Sequence, residues 1–198
     1  MRRRPLVRGT IAAAVALLAA LVVALVVVAI ADDDPEPKPD AVIHFTDLDK
    51  EPKGLVQGDK TGEPAPTDTF AKLGGGTATL ADYKGTPIVV NFFASWCVPC
   101  KKEMPDIEAV HQALGDKVTI LGIAVRDSER DAAELVDKTG VTYDIGRDVG
   151  GKLFSTLGVI NMPSTFFVSA EGRIVAANPG AMSAKELRSL IAEKLGVS

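Results

Sequence analysis

"NFFASWCVPCKKEMP", Asn91 to Pro105, holds the only two cysteines of a 198-residue chain. Its left half completes the apolar run "TPIVVNFFA", which is too short for a typical helix and rich in β-branched residues. That run predicts a buried central strand. Its right half, Cys97 to Leu114, reads as a helix. A strand feeding directly into a helix sets Cys97 at the helix's amino end, where first-turn N–H groups lack partners within the helix and the dipole is positive.

A thiol attacks only as its thiolate, and such a position can lower a cysteine pKa from about 8.5 to roughly 3.5–7.5. Cys100 lies three residues on, hence on the same face and within reach of a disulfide to Cys97. The order of the two assigns Cys97 the part of exposed nucleophile and Cys100, one turn deeper, that of resolving thiol. Pro99 between them has no backbone donor, which a first turn tolerates. Trp96, directly ahead of Cys97, reads as a flank of the site rather than as core. Glu103, three residues after Cys100, shares its face; a partly desolvated carboxylate there would have a raised pKa and could take the proton of Cys100. An ordinary solvated charge paired with a lysine is the alternative for Glu103. Pro105 removes the helical bond to the carbonyl of Lys101 and predicts a kink.

Other readings of the pair stay open on these residues alone. A structural disulfide is common outside the cytoplasm, although so small a loop gains little chain entropy. A zinc site needs four ligands, so His44 and His111 would both have to converge on the cysteines. A peroxidatic cysteine would normally follow a threonine or serine by three residues, and that position is Ala94.

Outward from this centre the chain alternates strands and helices. "DTFAKL" and "TATL" flank Gly74, Gly75 and Gly76 and predict a hairpin. "VTILGIAV" predicts a second buried strand, and "SERDAAELVDKTG" a helix capped by Ser128 and stopped by Gly140. "GGKLFSTLG" predicts a short helix, "STFFVS" and "RIVAAN" two strands around the turn "AEG". The last helix opens on the capping box "SAKE" and runs to Leu195. This order implies an α/β sandwich around a mixed sheet.

The amino-terminal part has another character. "IAAAVALLAALVVALVVVAIA", Ile11 to Ala31, is wholly apolar and follows Arg2, Arg3, Arg4 and Arg8, the pattern of a bilayer-spanning helix whose basic flank stays in the cytoplasm. The expected organisation is a cytoplasmic basic segment (1–8), a transmembrane signal anchor (9–31), an extracytoplasmic linker (32–61) and a folded domain (62–198). Cleavage after "AIA" is the competing reading. "DDDPEPKPD", Asp32 to Asp40, is a semi-extended spacer. Without the four leading arginines, 18 basic residues face 26 acidic ones, a charge near −8. That balance excludes nucleic-acid binding and gives no reason for the domain to lie on anionic lipid.

"NFFASWCVPCKKEMP" resembles the active-site segment of thioredoxin-fold proteins, and specifically of membrane-anchored extracytoplasmic thiol-disulfide oxidoreductases of the TlpA/ResA/DsbE type. The likeness spans roughly Gly62 to Leu195 and includes "GEPAPTDTF" and "MPSTFFVSAEGRI". It implies a thioredoxin fold with an N-terminal β-hairpin extension. Met162-Pro163 matches that family's cis-proline loop, while on the residues alone a trans proline at a strand entry is an equal reading; Trp96, Pro99, Met162 and Pro163 are the expected substrate contacts. Glu103 matches its acidic position, and Asn91 stands where ordinary thioredoxins carry a buried aspartate, which would leave Glu103 as the only local acid. Phe93 and Asn161 depart from the frequent tryptophan and glycine. The resemblance further implies no metal or organic cofactor. Implied partners are thiols or disulfides of exported proteins, apocytochrome c among them, and a membrane thiol-disulfide electron carrier. Protein disulfide reduction in cytochrome c maturation is the leading expectation, disulfide introduction the next, and a non-catalytic binding module using the groove beside Pro163 the third.

Overall fold

The computed structural model describes residues 58–198. The apolar run, the spacer, "AVIHF" and His44 lie outside the described residues. Among the described residues no helix is long and apolar enough to cross a membrane.

Seven strands form one mixed sheet: β1 Phe70–Lys72, β2 Thr77–Ala78, β3 Ile88–Phe93, β4 Thr119–Val125, β5 Asp144–Asp148, β6 Ser164–Val168 and β7 Ile174–Pro179. Their order is β2-β1-β5-β4-β3-β6-β7. The expected central strand is β3, buried along its whole length, parallel to β4 and antiparallel to β6. The glycine-linked hairpin forms as expected, with Phe70 opposite Ala78. It extends the main sheet, because β1 also pairs with β5.

Among the described residues four α-helices flank this sheet: α1 Val98–Leu114, α2 Glu129–Thr139, α3 Lys152–Thr156 and α4 Ala184–Leu195. Their ends follow the local chemistry. The Ser128 side chain accepts the Asp131 N–H to start α2, and Gly140 takes the left-handed conformation that ends it. Ser183 and Glu186 form the reciprocal capping box of α4. Pro105 lies inside α1.

The sheet separates two cores. Ile107 and Val110 of α1, Ala132 and Leu135 of α2, and Leu187 and Ile191 of α4 pack with Val89, Phe93, Ile120 and Phe167 on one face. Leu153 and Phe154 of α3 pack with Val90, Phe92, Leu121 and Phe166 on the other, joined by Leu80 and Phe70. The segment ahead of the hairpin is tied to the far edge: the Gly62 N–H donates to the Ile174 carbonyl at 2.8 Å and the Arg173 guanidinium to the Gly62 carbonyl at 2.8 Å.

Strand β5 has no local signature. "DIGRD" is mostly polar, with Ile145 its one β-branched residue, and becomes a strand because β4 supplies a parallel edge and β1 an antiparallel one. Gly146 allows it to fit there, since a Cβ on this residue would stand 2.5 Å from Phe70 Cδ2 and 2.8 Å from Ile123 Cδ1. Replacing Gly146 with alanine should therefore overpack the second core and lower the unfolding free energy by about 1–3 kcal/mol. Urea denaturation measures this; an unchanged midpoint would show that Phe70 can move aside.

Candidate active site

Strand β3 ends at Phe93, still within the core, and the next four residues turn the chain into α1. The turn closes with the Cys97 N–H donating to the Ala94 carbonyl at 3.0 Å. A second tie comes from across the fold. Asp127, buried just after β4, accepts the Ser95 N–H at 2.6 Å and the Ser95 hydroxyl at 2.7 Å. The loop carrying the cysteines is thus held by a carboxylate 32 positions away in sequence. Glu103 is accordingly not the only acid near the pair, and the expectation that it stands alone is corrected: the contact with Asp127 is long-range and has no sequence signal.

Cys97 is the N-cap of α1 and Pro99 stands in the first turn. A disulfide joins Cys97 to Cys100 across a Cα–Cα distance of 5.3 Å, and the Cys97 sulfur accepts the Cys100 N–H at 3.3 Å. Cys97 is 5% exposed and Cys100 1%. The expected contrast between an exposed and a buried thiol is therefore slight, because Cys97, at the mouth of the helix, packs with the first core. What stands out into solvent is its flank: Trp96 is 66% exposed, and Val98 and Pro99 are exposed as well. Among the described residues no group of three or more His, Cys, Asp or Glu side chains converges as a metal site requires.

Met162-Pro163 precedes β6, and its peptide bond is cis. Ser164 of β6 pairs with Phe92 of β3, so Pro163 lies beside the end of the strand that delivers the cysteines. The Pro163 carbonyl accepts the Gly180 N–H at 2.9 Å, and the Ser164 hydroxyl donates to the Asn161 carbonyl at 2.9 Å, which shapes the loop. Trp96, Phe154, Ile160, Asn161 and Met162 line a shallow, mostly apolar groove between this loop and the cysteine turn.

Glu103 is not a solvated helix charge. It is 2% exposed. Its Oε2 accepts from Asn91 Nδ2 at 3.2 Å and its Oε1 from the Met182 N–H at 3.0 Å. The same Asn91 nitrogen donates to Thr165 Oγ1 at 3.0 Å. Burial pushes the Glu103 carboxyl up to about 7, against the two hydrogen bonds that favour its charged form and with a small push from the Asp106 charge. Tyr143 belongs to the same buried region. Burial, and after it the charge of Glu103, raises its hydroxyl well above the ordinary range, and that hydroxyl has no hydrogen-bond partner among the described residues. Thr165, which meets Glu103 only through Asn91, Met182 and Tyr143 had no signal in sequence, since each comes from a distant part of the chain.

Residues 61–177 match the AhpC/TSA family, and the chain belongs to it. The thiol-disulfide oxidoreductase ResA of Bacillus thuringiensis subsp. konkukian is 27% identical over 131 residues, spanning 66% of this chain and 76% of that protein. The structure of a secreted Mycobacterium tuberculosis disulfide oxidoreductase, described as homologous to E. coli DsbE, superposes with a TM-score of 0.58 at 29% identity, covering 64% of this chain and 96% of its own. A DsbF homologue from Corynebacterium diphtheriae gives a TM-score of 0.62 at 30% identity, with coverage of 71% and 92%. These likenesses bear out the resemblance read from the cysteine segment: the protein is a thiol-disulfide oxidoreductase of the ResA/DsbE type with a thioredoxin-like fold.

The raised pKa of Glu103 has a consequence for folding. A carboxyl protonated more readily in the folded state contributes its full share of stability below its unfolded value of about 4.5 and loses it as pH rises through about 7. In the oxidised protein neither cysteine titrates, so Glu103→Gln should improve relative to wild type by roughly 2 kcal/mol between about pH 5 and pH 8. Denaturation at both pH values tests this, and parallel pH profiles for the two proteins would contradict it.

Proposed function

We propose that this member of the AhpC/TSA family is a protein disulfide reductase of the cytochrome c maturation type, held outside the cytoplasm by its Ile11–Ala31 segment. The observation that carries the chemical reading is the buried carboxyl of Glu103, brought close to neutrality three residues from Cys100 on the same helix.

In the reduced protein, the Cys97 thiolate attacks one sulfur of a substrate disulfide. A Cys97–substrate bond forms, the substrate S–S bond breaks, and the first substrate thiolate leaves. Cys100 then gives its proton to Glu103 and attacks the Cys97 sulfur; the Cys97–Cys100 bond forms and the second substrate thiolate leaves. Two electrons pass from protein to substrate, and an external dithiol carrier in the membrane restores them. Desolvation would otherwise hold the Cys100 thiol protonated and slow its attack. A carboxyl titrating near 7 suits the transfer, because a base works best with a pKa close to the operating pH. Trp96, Pro99, Met162 and Pro163 form the surface against which the substrate segment lies.

The same steps in reverse would introduce disulfides, so the potential of the couple sets the direction. A value near the roughly −270 mV of thioredoxin supports reduction, and one near the roughly −120 mV of DsbA overturns it. Apocytochrome c is the proposed substrate, as the resemblance carried by the cysteine segment implies.

Two outcomes test the reading directly. Cys97→Ala should abolish exchange, whereas Cys100→Ala should accumulate mixed disulfides through Cys97. Glu103→Gln should slow release of the mixed disulfide by about 10²-fold or more near neutral pH, spare the first attack, and recover as pH rises and Cys100 ionises unaided. Equal slowing of both steps would remove Glu103 from the reaction. For the topology, a periplasmic-type reporter fused after Ser198 should be active and membrane-bound; soluble protein beginning at Asp32 would show cleavage after "AIA" instead.

A further inference from the structure

Arg126 follows β4 with a φ of 50°, and no other described residue besides glycine has a positive φ. An L-residue with a long side chain is rarely held in this left-handed region, and such outliers concentrate at ligand-binding positions. The surroundings hold it there. The Arg126 N–H donates to the Asp148 carbonyl at 3.0 Å, and the guanidinium lies so close over Gly151 that a Cβ on that glycine would stand 2.6 Å from Arg126 Nε.

The guanidinium borders the groove beside the cysteine pair, with Trp96, Val125, Phe154, Ile160, Asn161 and Met162. It is exposed and belongs to none of the ion pairs or side-chain hydrogen bonds among the described residues. The acids around it are engaged elsewhere: Asp127, next in the chain, accepts from Ser95, Glu129 and Asp131 pair with Arg147 and Arg130, and Asp148, whose carbonyl takes the Arg126 N–H, accepts the Lys152 and Phe154 N–H groups on its side chain at 2.9 and 2.8 Å. Of the large apolar side chains left exposed among the described residues, Trp96, Val149 and Ile160 stand on loops and Val98 opens α1. In an otherwise acidic chain, the groove is an apolar trough with one uncommitted cation.

We propose that Arg126 is a specificity-determining residue, selecting protein segments that carry an acidic side chain close to the reacting cysteine and an apolar one that packs against Trp96 and Ile160. This rests on the thiol-disulfide exchange reading above. A planar guanidinium suits a carboxylate because it can offer two parallel N–H donors, and the apolar walls exclude part of the water that would screen the pair.

The test uses two disulfide-linked model peptides, identical except for Glu or Gln two residues from the cysteine. At low ionic strength kcat/KM should favour the Glu peptide by about 5-fold, the upper range of a partly exposed ion pair, and the preference should shrink at high salt. Arg126→Asn removes the charge while tolerating the left-handed backbone and should bring the ratio to about one. Arg126→Asp should invert it, and Arg126→Lys should retain most of it. Equal rates for the two peptides with wild-type protein, or the same preference in Arg126→Asn, overturns the proposal. These wild-type rates decide the matter even if a variant fails to fold. Absence of exchange with either peptide would instead sink the underlying exchange reading, and this proposal with it.

Discussion

The arrangement depends on one buried carboxylate. Glu103 of α1 accepts from Asn91 of β3 and from the main chain at Met182, just ahead of α4, so a single side chain ties the helix of the cysteines to the central strand and to the last helix. An ionised group in such a place is costly unless hydrogen-bonded. Two donors keep the charged form accessible while burial raises the pKa to about 7. The opposition of these effects leaves a group that can exchange a proton near neutral pH where a fully solvated glutamate could not.

Around this anchor the site divides into a rigid interior and an open edge. The interior fixes positions: β3 is buried along its whole length, Asp127 holds the turn at Ser95, and the pairing of Phe92 with Ser164 sets Pro163 beside the end of β3. The edge remains available. Trp96, Val98 and Ile160 stay exposed, although burying each would be favourable. A surface that leaves its large apolar groups beside a cysteine pair is suited to receive a polypeptide.

Much of this was legible in the sequence because the physics is local. Apolar runs of β-branched residues marked β3 and β4, the Ser128 and Ser183 caps marked helix starts, and glycines marked the hairpin turn. The two cysteines and Glu103 were legible for the same reason: a spacing of three residues on a helix places them on one face. Strand β5 was not, since "DIGRD" becomes extended only through its neighbours.

By itself the sequence determined the strand-to-helix junction at Cys97, the redox-capable pair and the acid one turn beyond, because each follows from backbone geometry over a few residues. Only the tertiary structure decided that Cys97 is nearly as covered as Cys100, that Asp127 grips the active-site turn, that Thr165 and Met182 complete the surroundings of Glu103, and that Arg126 borders the groove with no acidic partner among the described residues. Such contacts join residues tens of positions apart. Burial and pairing at that range are set by how the sheet brings strand ends together, and no local pattern of residues carries that information.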